Sequence, residues 1–324
     1  ALASSSSSSR STGGIRLVYS TTPSWPFLSP SSPSTSAAAT SEAASIDIAV
    51  LDSSFNPPSR AHLALATSRP VLAREVSNSS SKASYDAHLL LFSTQNADKG
   101  AGKAGDASLE QRTEMMKLMA KDIEHIQTGT GQKPNVAVAL VDKPLIFAKS
   151  TLTWDTIKQQ AAHALITPPA QSEDLEQRPR LHWVVGFDTL YRVFQLKYYP
   201  SAEDFHSQCR QFFVQERTTF VCARRDPSSF PSLSRDKEAQ DTRDLETIAR
   251  QQEEALLRSD NVRRWVEHGS VGMLDIDQRE AALSSTQIRS LLTNTSLSRD
   301  DKKQQLRHLV PPSLIDYLVD SNVY

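Results

Sequence analysis

The sequence predicts an α/β protein built on a doubly wound parallel sheet. Short, continuous runs of apolar residues recur along the chain and alternate with segments of helical composition. Strands that are buried on both faces have such continuous runs, and the helices that connect parallel strands cover both faces of the sheet. Ligands of these sheets bind at the carboxyl ends of the strands, where the strand order reverses. The loops that follow the strands are therefore the candidate sites.

Composition narrows the class of protein. The 324 residues suffice for one large or two small domains, and a net charge of -1 gives no general case for nucleic-acid or anionic-membrane binding. Two cysteines, Cys209 and Cys222, exclude a disulfide framework and fit a reducing compartment. No apolar run approaches the roughly 20 residues that span a bilayer. A cytoplasmic or nuclear protein is expected.

Residues 1–45 are rich in Ser, Thr, Ala and Pro, which predicts a low-complexity, mostly disordered segment before a domain at 46–324. A serine-rich, acid-poor start is also typical of a mitochondrial transit peptide, although only Arg10 and Arg16 are basic. A mitochondrial location is therefore kept as an alternative. Within this segment, the run from Ile15 to Tyr19 could form a short strand that docks on the domain.

The first element of the domain is a strand, a tight loop and a helix. Residues 46–51 are apolar except for Asp47 and predict a buried strand. Two prolines after this strand forbid its continuation or a helix interior. Ser59 is a good helix N-cap, which places His62 in the first helical turn. A helix N-terminus offers free N–H groups and favours anions, above all phosphate.

The remaining elements follow the same alternation. Further buried strands are predicted at 87–92, 136–141, 181–186, 218–223 and 271–276. Helices are predicted at 107–126, at 153–165 and, as a short one, from Asp188. The charge-dense segment 235–266 predicts a solvated helical face, and two or three short helices finish the chain, the last opened by Pro311 and Pro312.

A second polar motif, Leu283-Ser284-Ser285-Thr286-Gln287-Ile288-Arg289, follows the last predicted strand. Ser285 and Thr286 offer hydroxyls at a helix start, and Arg289 lies about one turn further on the same side. Hydroxyls, free N–H groups and a guanidinium together can clamp a polyphosphate. The alternative is an ordinary capped amphipathic helix with a solvent-facing arginine.

These two stretches resemble motifs of one family. Ser54-Phe55-Asn56-Pro57-Pro58-Ser59, with His62, resembles the Gly-Ser-Phe-Asn-Pro-Pro-Thr-x-x-His signature of the nucleotidyltransferase superfamily that includes the nicotinamide mononucleotide adenylyltransferases. The second motif is similar to that family's Ile-Ser-Ser-Thr-x-x-Arg. The overall pattern looks closest to a divergent, fungal-type branch. The resemblance implies a Rossmann-like domain of the nucleotidyltransferase type with C-terminal helices.

The resemblance also implies a reaction, the transfer of AMP from ATP to nicotinamide mononucleotide, which gives NAD and pyrophosphate. His62 and Arg289 would be catalytic, and Mg²⁺ would bridge phosphate oxygens without a set of protein ligands. Small nucleotides, and neither nucleic acid nor membrane, would be the partners, with homo-oligomerisation left open. The ATP-binding residues would be Ser54, Phe55, His62, Arg225, Ser285, Thr286 and Arg289.

Weaker resemblances indicate the acceptor side. Residues 151–157 are similar to a Ser-Tyr-Thr-x-Asp-Thr-Leu segment of the bacterial enzymes, although an N-cap and a core tryptophan would explain them as well. Gly186-Phe187-Asp188 looks like the family's Gly-x-Asp at a strand end, and Lys99, preferred over Lys103, would meet the acceptor phosphate. The implied nicotinamide mononucleotide-binding residues are Asn56, Lys99, Thr153, Trp154, Gly186 and Asp188.

Ser53 departs from the family pattern, which has glycine at this position. Glycine lets backbone approach a phosphate closely, and a positive φ would strain a serine there. Two alternatives therefore stay open at this stage. The protein could use another acceptor or mainly hydrolyse ATP, or it could be a non-catalytic nucleotide-binding protein.

Overall fold

A computed structural model describes residues 14–28, 46–70, 72, 83–95, 105–166, 179–224 and 242–324. The described part of the chain contains a seven-stranded sheet with the strand order β1-β4-β3-β2-β5-β6-β7. The strands are β1 (Ile15–Ser20), β2 (Ile46–Asp52), β3 (Ala87–Ser93), β4 (Val136–Val141), β5 (Pro179–Gly186), β6 (Thr219–Ala223) and β7 (Val271–Leu274). Only the pairing of β1 with β4 is antiparallel, and the other five are parallel.

Helices cover both faces of this sheet. The described α-helices are α1 (Arg60–Thr67), α2 (Leu109–Gly129), α3 (Ile146–Ile166), α4 (Phe187–Val193), α5 (Ala202–Arg210), α6 (Thr242–Arg258), α7 (Arg263–Glu267), α8 (Gln278–Ala281), α9 (Ser285–Leu292), α10 (Arg299–Leu306) and α11 (Ile315–Asp320). A π-helical turn (Gln211–Gln215) follows α5, and two short 3₁₀ turns (Leu196–Tyr198 and Pro312–Leu314) precede α5 and α11. The predicted doubly wound α/β fold is confirmed.

The order of the strands reverses beside β2. The chain runs from β2 through β3 to β4 on one side, and then returns to place β5 against the other side of β2. In a doubly wound sheet, the crevice at such a switch point is where ligands bind. The carboxyl ends of β2 and β5 therefore mark the expected position of a site.

Alternate side chains of β2 divide between two cores. Ile48 and Val50 belong to the core under α3 and α4, whereas Ala49 and Leu51 belong to the core under α1, α2 and α9. This alternation follows from the two-residue period of a strand, and both sets are buried because the sheet is covered on both sides. The loop after β2 and the loop after β5 consequently lead to helices on opposite faces of the sheet.

Part of the N-terminal segment belongs to the domain. The predicted strand at Ile15–Tyr19 is confirmed as β1, which pairs with β4 at the edge of the sheet. Trp25, only 1% exposed, packs in the core. Apolar side chains within residues 14–28 are thus buried against the sheet. The expectation that most of the segment 1–45 is disordered stays a prediction. Residues 1–13 and 29–45 lie outside the described residues.

Several element boundaries differ from the sequence-based expectation, and the start of α3 differs most. Helix α3 begins at Ile146, seven residues before the predicted start, because Ile146 and Phe147 are buried in the core and this outweighs the poor helix propensity of the Ser and Thr residues that follow. Strand β7 ends at Leu274. Among the described residues, no helix is both long enough and apolar enough to cross a bilayer.

Candidate active site

The two polar motifs lie in contact at the carboxyl end of β2. The Arg289 Nη1 donates to the Asn56 carbonyl oxygen at 2.6 Å, and the Ser285 Oγ donates to the Pro57 carbonyl oxygen at 2.8 Å. The motifs are 233 residues apart at the first of these contacts. The fold therefore joins the loop after β2 to the first turn of α9, as the two predicted phosphate-binding elements require.

The orientation of His62 is fixed by a capping box at the start of α1. The N–H of the N-cap residue Ser59 donates to the His62 Nδ1 at 3.0 Å, so Nδ1 accepts and the proton of the neutral ring is on Nε2. The His62 Nε2–H then donates to the Ser53 Oγ at 2.9 Å. The chain thus aims a fixed hydrogen-bond donor at the residue that follows β2.

The environment keeps His62 neutral, because burial lowers the pKa of the ring to about 4. The ring therefore acts on an anion as an N–H donor and not as a cation near neutral pH. The same tautomer leaves Nε2 without a lone pair, so Nε2 cannot take a proton from the Ser53 hydroxyl. A Ser53–His62 nucleophile of the serine-hydrolase kind is not formed by this geometry.

Acid should destabilise the fold through His62 and His88. Burial lowers the pKa of His88 to about 4, as it does for His62. Between pH 6.5 and pH 4 the unfolded chain binds more protons than the folded one, so stability falls as the pH falls through that window. Each histidine is expected to cost about 2 kcal/mol between pH 7 and pH 5. Urea unfolding at both pH values measures this cost.

His62→Gln is the matched variant for this prediction, since glutamine at the same position retains the capping box and does not titrate. The variant should lose a smaller part of its stability between pH 7 and pH 5 than the wild type. An identical loss in both proteins would contradict the assignment to His62.

Ser53 does not adopt the conformation for which glycine would be needed. In the loop after β2, the described non-glycine residue with a positive φ is Phe55, at 46°. The Phe55 side chain is fully buried. The strain that a positive φ would have imposed on Ser53 therefore does not arise. Ser53 instead acts through its hydroxyl oxygen, which accepts the hydrogen bond that the His62 Nε2–H donates.

Ser53→Ala and Ser53→Gly are each expected to lower the Kd for ATP, by roughly 10-fold or less, because a phosphate oxygen would no longer compete with the hydroxyl for the His62 donor. Calorimetric titration of both variants separates two causes. Equal gains assign the effect to the hydroxyl, and a larger gain in the glycine variant assigns it to the Cβ. Weaker ATP binding in both variants would show that the hydroxyl helps to hold the ligand.

The first turn of α9 presents groups suited to an anion. Ser284 caps the helix, and Thr286 is exposed and accepts from the Arg289 Nη2 at 3.2 Å. Ser285 and Arg289 are half-buried against the loop after β2. The helix start, one exposed hydroxyl and a partly exposed guanidinium are thus held together, which is the composition of a phosphate site.

Asn56 anchors the loop from inside. Its Nδ2 donates to the Asp106 Oδ1 at 2.6 Å, and its Oδ1 accepts from the Ala107 N–H at 3.0 Å and from the Tyr324 hydroxyl at 2.9 Å. Asn56 is only 6% exposed, and both ends of its amide are engaged by these partners. A contact of Asn56 with the acceptor nucleotide stays a prediction. Tyr324 thus joins the last helix region of the chain to this loop.

Arg112 is a basic residue near this loop that no motif indicated. It lies in the first turn of α2, forms an ion pair with Asp106 at 3.2 Å, and brings its Nη1 within 3.5 Å of the carbonyl oxygen of Ser54. Ser54 itself is exposed. Because Arg112 reaches the loop from a different strand–helix unit, only the tertiary structure shows the contact.

The predicted Gly186 and Asp188 lie across the switch point from His62. Leu51 of β2 pairs with Val184 of β5, so this register, continued by two residues, brings Gly186 level with Ser53. Gly186 is the N-cap of α4, and the half-buried Asp188 lies in the first turn of that helix. The structure thus places this pair at the edge of the predicted crevice.

The predicted Thr153 and Trp154 lie on α3 and take no part in the hydrogen bonds described above. Thr153 is buried in the middle of α3, where its hydroxyl donates to the Lys149 carbonyl oxygen at 2.8 Å. Trp154 packs partly against the core, and the Lys158 ammonium lies 5.6 Å from its ring centroid. Lys99, Lys103 and Arg225 lie outside the described residues.

Within the described ranges, no group of three or more His, Cys, Asp or Glu side chains is placed to hold a metal ion. Mg²⁺ prefers water and phosphate oxygens to a set of protein side chains.

Comparisons with known proteins give a likeness of fold. No protein-family model and no curated protein matches the sequence. Two similar solved structures are of Plasmodium falciparum nicotinic acid mononucleotide adenylyltransferase, complexed with NaAD in one case and with APC in the other. They are 15% and 13% identical, with TM-scores of 0.41 and 0.40, and each covers 85% of this chain and 96% of its own.

A likeness at this level carries no weight in assigning function, which depends on the residues at the site. The resemblance to a fungal-type branch stays a prediction.

Proposed function

We propose that the protein transfers AMP from ATP to a pyridine mononucleotide, with nicotinamide mononucleotide as the acceptor, giving NAD and pyrophosphate. The observation that supports this function is the junction of the two motifs. Arg289 and Ser285 hydrogen-bond the loop that carries Ser53 and leads to His62, so donors from both ends of the domain converge on the carboxyl end of β2. A single polyphosphate can contact donors placed in this way.

The chemistry requires positioning and neutralisation of charge. A phosphate oxygen of the acceptor attacks the α-phosphorus of ATP, the bond from that phosphorus to the oxygen bridging to the β-phosphate breaks, and pyrophosphate leaves. The attacking oxygen is already anionic, so no general base is needed. The protein has only to align the two nucleotides and to donate hydrogen bonds to the oxygens on which charge develops.

Each side chain of the cluster has a role in this scheme. The His62 Nε2–H leaves the Ser53 hydroxyl and donates to an α-phosphate oxygen, while Ser285, Thr286 and Arg289 hold the β- and γ-phosphates. Ser54 and Phe55 supply backbone beside the phosphates. Mg²⁺ bound together with ATP would supply neutralisation of charge on the phosphates.

The acceptor side is assigned to the other face of the crevice. Gly186 permits close approach of the acceptor at the end of β5, and the Asp188 carboxylate accepts from a ribose hydroxyl or a base edge. The family resemblance adds four residues to this scheme. The acceptor would be bound by Lys99, Thr153 and Trp154, and ATP would be bound by Arg225. Asn56 contributes by holding the loop in place.

The test is incubation of purified protein with ATP and Mg²⁺, and with nicotinamide mononucleotide, nicotinic acid mononucleotide or other nucleoside monophosphates as acceptors. Pyrophosphate and dinucleotide should appear in equal amounts with the pyridine mononucleotides. If ADP or AMP accumulates at the same rate with and without acceptor, the protein is a hydrolase. If ATP binds and stays intact with every acceptor, it is a nucleotide-binding protein.

A further inference from the structure

A buried ion pair lies at the switch point of the sheet. Asp52 is the last residue of β2, and its Oδ2 accepts from the Lys149 Nζ at 2.5 Å. The two side chains are only 11% and 6% exposed, and Lys149 lies in the first turns of α3. Burial of two charges is costly, and it raises the pKa of Asp52. The free-energy cost of burying this pair requires a physical explanation.

Within the described ranges, the side chains of the pair leave donors of Lys149 without an acceptor. A lysine ammonium has three N–H donors, and Asp52 is the one side chain in the described part of the protein to which Lys149 donates. A buried ammonium that lacks acceptors for two donors costs stability, because those donors have left water without replacement. A ligand that supplies anionic oxygens would satisfy them.

Lys149 approaches the crevice from the face opposite to His62. Helix α3 packs with Ile48 and Val50 on the same face as α4, whereas α1 and α9 pack on the other face. Asp52 directly precedes Ser53, whose hydroxyl contacts His62. A cation thus stands on the β5–α4 side of the switch point, while the polyphosphate-binding groups stand on the α1–α9 side.

We propose that Lys149 binds the phosphate of the acceptor nucleotide, with Asp52 as its counter-ion before the acceptor arrives. This inference rests on the proposed adenylyl transfer and adds a binding residue on the acceptor side. The acceptor phosphate offers the ammonium anionic oxygens in addition to those of Asp52. The lysine also neutralises the negative charge of the attacking group as it approaches ATP, and its contact with Asp52 keeps it at the end of β2.

The test compares Lys149→Met with Lys121→Met. Lys121 is an exposed lysine on α2 and serves as the control for loss of one positive charge. Calorimetric Kd values are measured for nicotinamide mononucleotide, for nicotinamide riboside, which lacks the phosphate, and for ATP. Lys149→Met should weaken binding of the mononucleotide by roughly 10- to 100-fold and change the Kd values of the riboside and ATP by less than about 3-fold. Lys121→Met should change none of the three Kd values.

A double variant keeps the proposal testable even if Lys149→Met alone fails to fold. Lys149→Met with Asp52→Leu replaces the ion pair by apolar side chains of similar size, which is often neutral or stabilising in a protein interior. The urea midpoint of this variant should equal or exceed that of the wild type. Its affinity for the mononucleotide should nevertheless be as low as that of Lys149→Met. If it binds the mononucleotide as tightly as the wild type does, the pair is structural and the proposal is overturned.

The same titrations separate this proposal from the proposed function. If mononucleotide binding depends on Lys149 but no NAD forms, the adenylyl-transfer assignment fails and the Lys149 site stands. If the wild type binds nicotinamide mononucleotide no more tightly than the riboside, there is no contact to the phosphate and the Lys149 proposal fails, whatever the protein catalyses.

Discussion

His62→Ala is expected to lower kcat for NAD formation by roughly 10²- to 10³-fold while the fold persists. The wild-type ring presents a neutral Nε2–H at a fixed position, because the Ser59 N–H holds Nδ1 and Ser53 occupies Nε2 until substrate binds. Such a donor stabilises the charge that develops on the α-phosphate oxygens in the transition state. Steady-state rates of NAD formation at saturating ATP and acceptor measure the loss.

The loss of the capping box is a second effect of this substitution and must be separated from the first. His62→Ala removes the acceptor for the Ser59 N–H and should cost about 1 kcal/mol of stability. His62→Gln restores the box but does not place a ring N–H at the same point. We expect glutamine to restore stability and not kcat. If kcat returns to near the wild-type value together with stability, the role of His62 is structural.

Arg289→Ala should weaken ATP binding roughly 10- to 100-fold and AMP binding much less. Its guanidinium is held by the Asn56 carbonyl through Nη1 and by Thr286 through Nη2, and it is half-buried at the start of α9. AMP lacks the outer phosphates that this group would contact. Calorimetric titration with both nucleotides gives the ratio of the two losses.

Two variants separate the effect of the Arg289 charge from the effect of its contact with the loop after β2. Arg289→Lys retains the positive charge but not the planar fork, so it should recover a part of the ATP affinity. Ser285→Ala removes only the hydrogen bond to the Pro57 carbonyl and a single hydroxyl, and should have a smaller effect than Arg289→Ala. Equal losses of ATP and AMP affinity in Arg289→Ala would mean that the arginine only holds the loop.

The strand–loop–helix around His62 and the capped turn of α9 could be predicted because both are local. An apolar run, a proline pair and an N-cap residue determine the first, and a run of hydroxyl residues before an amphipathic helix determines the second. The start of α3 could not be predicted in this way. Ser and Thr residues there have poor helix propensity, and only the burial of Ile146 and Phe147 explains the earlier start.

The contacts that define the site depend on tertiary structure. Lys149 and Asp52 are 97 residues apart, and Arg112 reaches Ser54 from a helix that follows another strand. The role of Ser53 depends on which nitrogen of His62 carries the proton, and that follows from the backbone contact of Ser59. Neither these long-range contacts nor the tautomer of His62 can be predicted from a sequence motif.

The most direct test of adenylyl transfer is the fate of a label on the α-phosphorus of ATP. With ATP labelled at that phosphorus, Mg²⁺ and nicotinamide mononucleotide, the wild-type protein should place the label in NAD, with an equal amount of unlabelled pyrophosphate. His62→Ala should slow both products together. Label found in AMP or ADP at a rate that does not depend on the acceptor, with none in NAD, would contradict the assignment.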